Sequence, residues 1–165
     1  MRRCALLLFA AALAVAQTPA PSPAPTPDPF PNQWIGGYVD YNQFNTPALS
    51  GGVVYAQLVL SGTHPTYSYN SVHITSVNSH PFQVMATVEP GAAQHIKQVA
   101  GFDIYLLGQL GLATARSNVG FSATGGGFAQ RRLKGNWTIG PEIRITKTTI
   151  SAKQWSAGLM LGWGE

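Results

Sequence analysis

The chain has 165 residues, of which only 10% carry charge and 18 are glycine. Soluble domains ordinarily have about 25% charged residues, so this composition is odd for a water-facing surface. The formal charge is +4, and it falls to +2 once Arg2 and Arg3 are set aside, too mild a bias for a nucleic-acid binder.

Residues 1–16 read as a signal peptide for Sec export. Arg2 and Arg3 precede an apolar run over residues 5–15, and Ala14, Val15 and Ala16 form a small-x-small cleavage site. That run is too short to span a bilayer, and no later stretch nears the ~20 apolar residues a helical span needs. Cys4, the only cysteine, falls inside the signal, so the mature chain has no disulfide or thiolate chemistry. Residues 17–32 follow as a proline-rich linker, with proline at every second position from Pro19 to Pro31. Proline donates no ladder hydrogen bond and favours an extended spacer, so this segment is expected to stay outside the core. Whether the arm also docks a periplasmic partner stays open.

From residue 33 to 165 about eight alternating segments of roughly ten residues recur between turn-rich breaks. The first two lie near residues 34–43 and 51–60. The third, near 67–77, alternates Val72 and Ile74 with Ser71, His73 and Thr75. In the fourth, Phe82, Val84, Ala86 and Val88 share one face, with Gln83, Met85, Thr87 and Glu89 on the other. Pro90 and Gly91 interrupt it. Either the strand continues through a bulge to a tight turn at 98–101, or a long turn runs from 90 to 100.

The fifth segment sets Phe102, Ile104, Leu106, Leu110 and Leu112 against Asp103, Tyr105, Gln109 and Gly111, with Leu107 an apolar exception. The sixth, 118–130, sets Val119, Phe121 and Ala123 against Ser122 and Thr124. The seventh sets Trp137, Ile139, Pro141, Ile143 and Ile145 against Thr138, Gly140, Glu142, Arg144 and Thr146; a local bulge is expected to absorb the missing donor of Pro141. The eighth carries Trp155, Ala157, Leu159, Leu161 and Trp163 on one face and small or polar residues behind them. Eight residues separate its indoles, which at about 3.3 Å per residue and a tilt near 40° makes a band roughly 20 Å tall. That suits an outer-membrane hydrocarbon layer, with Trp137, Trp155 and Trp163 as interface aromatics.

The expected fold is therefore all-β: an antiparallel up-and-down transmembrane β-barrel of about eight strands, in the outer membrane of a Gram-negative-type envelope. An even strand number puts both ends of the barrel on the periplasmic side. The outer loops then centre on 45–47, 78–80, 116–117 and 148–151. Signal peptide, alternating strands, paired aromatics and a closing Leu161, Gly162, Trp163 resemble the small eight-stranded outer-membrane barrels of the OmpA/OmpX type. The pattern covers residues 33–165, and it departs from that family in that Gly164 and Glu165 follow the terminal aromatic residue. The resemblance implies outer-membrane lipids and the barrel-insertion machinery as partners, a monomer, and no nucleic acid.

Eight strands enclose a lumen just wide enough to be filled by side chains, so the inward residues Glu89, Asp103, Tyr105, Gln109, Glu142 and Arg144 are expected to form a polar network and not a porin-like pore. Arg144 is expected to offset the inward acids, Asp103 foremost. Arg116, Lys147 and Lys153 form an outer basic rim suited to anionic headgroups, and Arg131, Arg132 and Lys134 surround the turn at 133–136 on the opposite side. His64, His73, His80 and His95 have no short metal spacing, so no metal is expected. The Gly-x-Ser-x-Gly elbow is absent, and Gly125 to Gly127 lack the Lys-Ser of a phosphate loop, so no catalytic residues and no cofactor are expected. The resulting function is a structural or surface role. Two alternatives stay open: a soluble calycin-like ligand carrier, with apolar residues inside, and an outer-membrane lipid-modifying enzyme with serine and histidine brought together.

Overall fold

A computed structural model describes residues 30–43, 47–77, 83–151 and 153–165. The signal peptide, most of the proline-rich segment, His80 and Phe82 lie outside the described residues. Alternating strands of this kind bury one face when the sheet closes on itself, and closure also removes the exposed edges that invite aggregation. The strands are β1 (Gln33–Gln43), β2 (Pro47–Leu60), β3 (Thr66–Val77), β4 (Gln83–Val99), β5 (Phe102–Ala115), β6 (Asn118–Arg132), β7 (Trp137–Thr148) and β8 (Gln154–Gly164). Each pairs antiparallel with its sequence neighbour, and β1 pairs β8 to close the barrel. A reciprocal pair of backbone bonds between Gln33 and Glu165, 3.0 and 2.9 Å, fastens the two ends.

The apolar parity faces outward. Leu110, Phe121, Leu159 and Ile143 are exposed, while Glu89, Glu142, Arg144 and Thr124 are buried in the lumen. A ligand carrier with an apolar interior requires the opposite arrangement, so the calycin-like reading is overturned. In β8 every expected outward residue faces out, with Leu159 60% exposed midway between the two indoles.

Both prolines sit in unbroken register. Asn70 pairs Pro90, and the β4–β5 ladder resumes at Gly91↔Gln109 on the alignment it had at Val88↔Leu112. Pro141 likewise pairs Leu159, and β6–β7 resumes at Arg131↔Ile139 without a shift. The bulges expected at these prolines are therefore absent; each ladder skips the proline's position and keeps its alignment. The shift in β4 comes instead between His95 and Lys97. Beyond it Val99 pairs Phe102 across a two-residue turn, in which Ala100 and Gly101 both take positive φ, 52° and 80°. That is the hairpin geometry whose twist matches the strands it joins.

The proline-rich segment does not stay clear of the barrel at its end. The Tyr67 hydroxyl donates to the Pro31 carbonyl at 3.0 Å, the Leu58 N–H donates to the Asn32 carbonyl at 2.7 Å, and Phe30 packs on the buried cluster. These contacts come just before β1 begins at Gln33, and they are possible because proline blocks only the donor and leaves its carbonyl free to accept.

Candidate functional site: the barrel lumen

Three layers fill the lumen. Near the mouth where both chain ends meet, Trp34, Tyr67, Tyr69, Tyr105 and Phe128 pack with Met160 and Leu107. Tyr105 stacks on Phe128 at 4.8 Å between ring centroids, and Trp34 meets Tyr69 and Phe128 edge-on at 5.6 and 5.9 Å. Offset and edge-on contacts of this kind suit the ring quadrupoles, and together they seal that end. Charged and amide groups hold the centre. Towards the far end the lining turns to small hydroxyl residues, among them Ser50, Thr75, Thr87, Ser122 and Thr148.

At the centre Arg144, 1% exposed, donates from Nη2 to Glu142 Oε2 at 2.9 Å and to the Tyr69 hydroxyl at 2.9 Å. Its Nε reaches the same Glu142 oxygen at 3.2 Å, and its guanidinium lies 3.9 Å above the Tyr38 ring. Glu142 and Arg144 lie two apart on one face of β7, so alternation itself brings them together. Asp103 is not the partner expected for Arg144. It pairs Gln130 near the sealed mouth, accepts from Gln98 Nε2 at 3.3 Å, and lies 3.5 Å from His95 Nε2.

The second polar group centres on Gln109, whose amide donates to Ser71 Oγ at 2.8 Å and to the Glu89 carbonyl at 2.6 Å. Thr124 donates to Glu89 Oε1 at 2.8 Å and lies 2.7 Å from Thr146 Oγ1. A hydroxyl has one proton, so Thr146 must be the donor in that last bond. The six expected network residues therefore divide: Glu142 with Arg144, Glu89 with Gln109, Asp103 at the mouth, and Tyr105 in the aromatic layer.

Tyr38, Asp40 and Tyr69 also belong to the centre and are absent from the expected network, and His73, on the face it shares with Ser71 and Thr75, joins them. Tyr38 and Asp40 alternate correctly in β1, but inward Trp34 and Tyr38 with outward Ile35, Val39 and Tyr41 make that strand apolar on both faces, which hides its parity. Two glycines make room for them. A Cβ at Gly52 would lie 2.6 Å from the Tyr38 hydroxyl, and one at Gly158 would lie 2.5 Å from Asp40 Oδ1. Asp40 is wholly buried, with His73 Nε2 3.7 Å from its Oδ2.

Asp40, His73 and Thr75 invite comparison with a nucleophile, base and orienting acid. Thr75 Oγ1 lies 3.5 Å from His73, but at Nε2, the same nitrogen that faces Asp40. A relay needs the two ring nitrogens to serve different partners, so this constellation does not form a triad. His64 and His95 stack at 6.1 Å by the mouth, a contact between residues far apart in sequence, and Phe30 lies 4.8 Å from His95. Among the described residues no group of three or more His, Cys, Asp or Glu could hold a metal ion.

On the outside, Trp137 pairs Trp163 at the sealed end, and Trp155 pairs Ile145 towards the other. Arg116, Lys147 and Lys153 are exposed around the far end, while Arg131, Arg132 and Lys134 lie at the end near the termini.

No protein-family model matches the sequence, and no curated protein matches it. Among solved structures the fold is that of small eight-stranded outer-membrane barrels. The chain is similar to Neisserial surface protein A, with a TM-score of 0.64 and 7% identity over 81% of this chain and 96% of that one. It is also similar to the outer membrane enzyme PagL, with a TM-score of 0.55 and 9% identity over 80% of this chain and 99% of that one. A surface protein and an enzyme thus share one frame, so function has to be read from the side chains.

Proposed function

We propose that this chain is an exported, monomeric outer-membrane β-barrel with a structural or surface role, its lumen closed by an aromatic layer and a buried polar core. The observation that carries the reading is the inversion of polarity: Leu110, Phe121 and Leu159 face out, while Asp40, Glu89, Glu142 and Arg144 are buried within. Exposed apolar belts of this extent are stable only against lipid or another apolar surface. Similarity of fold to outer-membrane barrels supports the same location. Its partners in this reading are outer-membrane lipids and the barrel-insertion machinery, with both termini in the periplasm and residues 1–16 removed on export.

The absence of a relay at His73, and the wholly intraluminal position of Thr75 and Asp40, favour a non-catalytic role over lipid modification. The test is fractionation of an expressing envelope, followed by electrophoresis with and without boiling. The reading predicts outer-membrane material that migrates faster unboiled. Recovery in the soluble fraction, or identical mobility, would reject it.

A further inference from the structure

The charges on this barrel are sorted by sign. The acids Asp40, Glu89, Asp103 and Glu142 are all buried in the lumen. The exposed charges of β1 to β8 and their described connections are Lys97, Arg116, Arg131, Arg132, Lys134, Lys147 and Lys153, with Glu165 the one exposed acid among the described residues. Two basic collars therefore bracket the apolar belt.

At Lys147 the far collar meets a groove. One outward row runs across three strands as Leu110, Ala123 and Lys147; the next runs across four as Ala92, Gly108, Gly125 and Ile145. Small residues in the second row leave a furrow, and at Gly108 and Gly125 an added Cβ would meet nothing within 4 Å. Two adjoining hollows result. One of ≈ 370 Å³ is lined by Leu110, Phe121, Ala123 and Lys147, and one of ≈ 650 Å³ by Ala92, Gly108, Leu110 and Gly125. Both open broadly onto the outer surface, as shallow troughs and not enclosed cavities.

We propose that Lys147 and the groove beside it bind one anionic lipid, its phosphate at the ammonium group and an acyl chain in the furrow. The complement is chemical: a cation at the collar, an apolar trough running from it into the belt, and, among the described residues, no acid beside it to repel a phosphate. The groove opens onto the surface assigned to lipid, so the occupant comes from the bilayer itself. This inference rests on the membrane reading above, and the lipid leaflet concerned is the one away from the chain termini.

The full chain would be reconstituted into phosphatidylcholine nanodiscs containing a minor fraction of phosphatidylglycerol, and the lipids retained after mild delipidation identified by mass spectrometry. One basic side chain near a charged membrane surface changes the preference about fivefold. Wild type should retain phosphatidylglycerol over phosphatidylcholine, and Lys147→Gln should lower that preference about fivefold. Gly108→Leu, whose side chain enters open space, should lower retention of both lipids. Lys134→Gln, at the opposite collar, should change neither. Unchanged retention in both Lys147→Gln and Gly108→Leu would overturn the site, as would efficient disulfide-linked dimers of Gly108→Cys, which would assign the furrow to a second copy. A boiling-dependent mobility shift that persists in such a case leaves the barrel reading standing and removes the lipid site alone.

Discussion

Replacing Arg144 by alanine removes the cation at the centre of the lumen. Three hydrogen bonds disappear, two to Glu142 Oε2 and one to the Tyr69 hydroxyl, together with the stacking on Tyr38. Glu142 stays behind, 5% exposed, and among the described residues Arg144 is the one basic side chain paired with it. Breaking a buried pair from one side costs about 3 to 5 kcal/mol, because the remaining charge is uncompensated. Loss of a desolvated cation–π contact adds up to about 2 kcal/mol. The two terms overlap, so the expected loss is roughly 3 to 5 kcal/mol. Urea titration of reversible folding into zwitterionic vesicles measures it. The double variant Arg144→Met with Glu142→Gln should be less destabilised than Arg144→Ala, since it removes both members of the pair, while Asp40 stays buried in either case. A wild-type urea midpoint for Arg144→Ala, or a double variant worse than the single one, would refute the buried pair.

Planar-bilayer recording should show no long-lived open levels for the wild-type protein, because Trp34, Tyr69, Tyr105 and Phe128 seal one mouth. Ala100 holds φ at 52° in a two-residue turn before Gly101, a conformation that asparagine tolerates better, so Ala100→Asn should raise stability by roughly 1 kcal/mol in the same urea assay. Gly158→Val should destabilise by roughly 1 to 3 kcal/mol through overpacking, because its Cβ would press on Asp40 Oδ1; Gly125→Val, in open space on the outside, should not.

The outer wall was legible in the sequence because strict alternation dictates it, and Trp155, Leu159 and Trp163 face out as their parity requires. Strand continuity through Pro90 and Pro141 was legible for the same reason: parity holds on both sides of each. Their bulges were a wrong inference, since a strand can forgo one donor without slipping its register. The lumen was less legible. Parity tells which residues point inward, but which of them meet depends on the stagger between strands, and this sends Asp103 to the mouth while Arg144 stays at the centre with Glu142. Asp40 went unnoticed because β1 is apolar on both faces, and its fit over Gly158 is a relation between two strands that a single segment does not display.

Leu159 tests the central claim, that lipid covers the outer wall. It lies midway between Trp155 and Trp163, pairs Val39 and Pro141, and is 60% exposed. Arginine at a bilayer midplane costs about 2 to 4 kcal/mol, against about 0 to 1 near an interface. Folding of Leu159→Arg and of Lys153→Leu into zwitterionic vesicles, compared by urea titration, should show a loss of that size for the first and little change for the second. Equal losses, or stable folding of both variants in buffer without lipid or detergent, would contradict the membrane barrel.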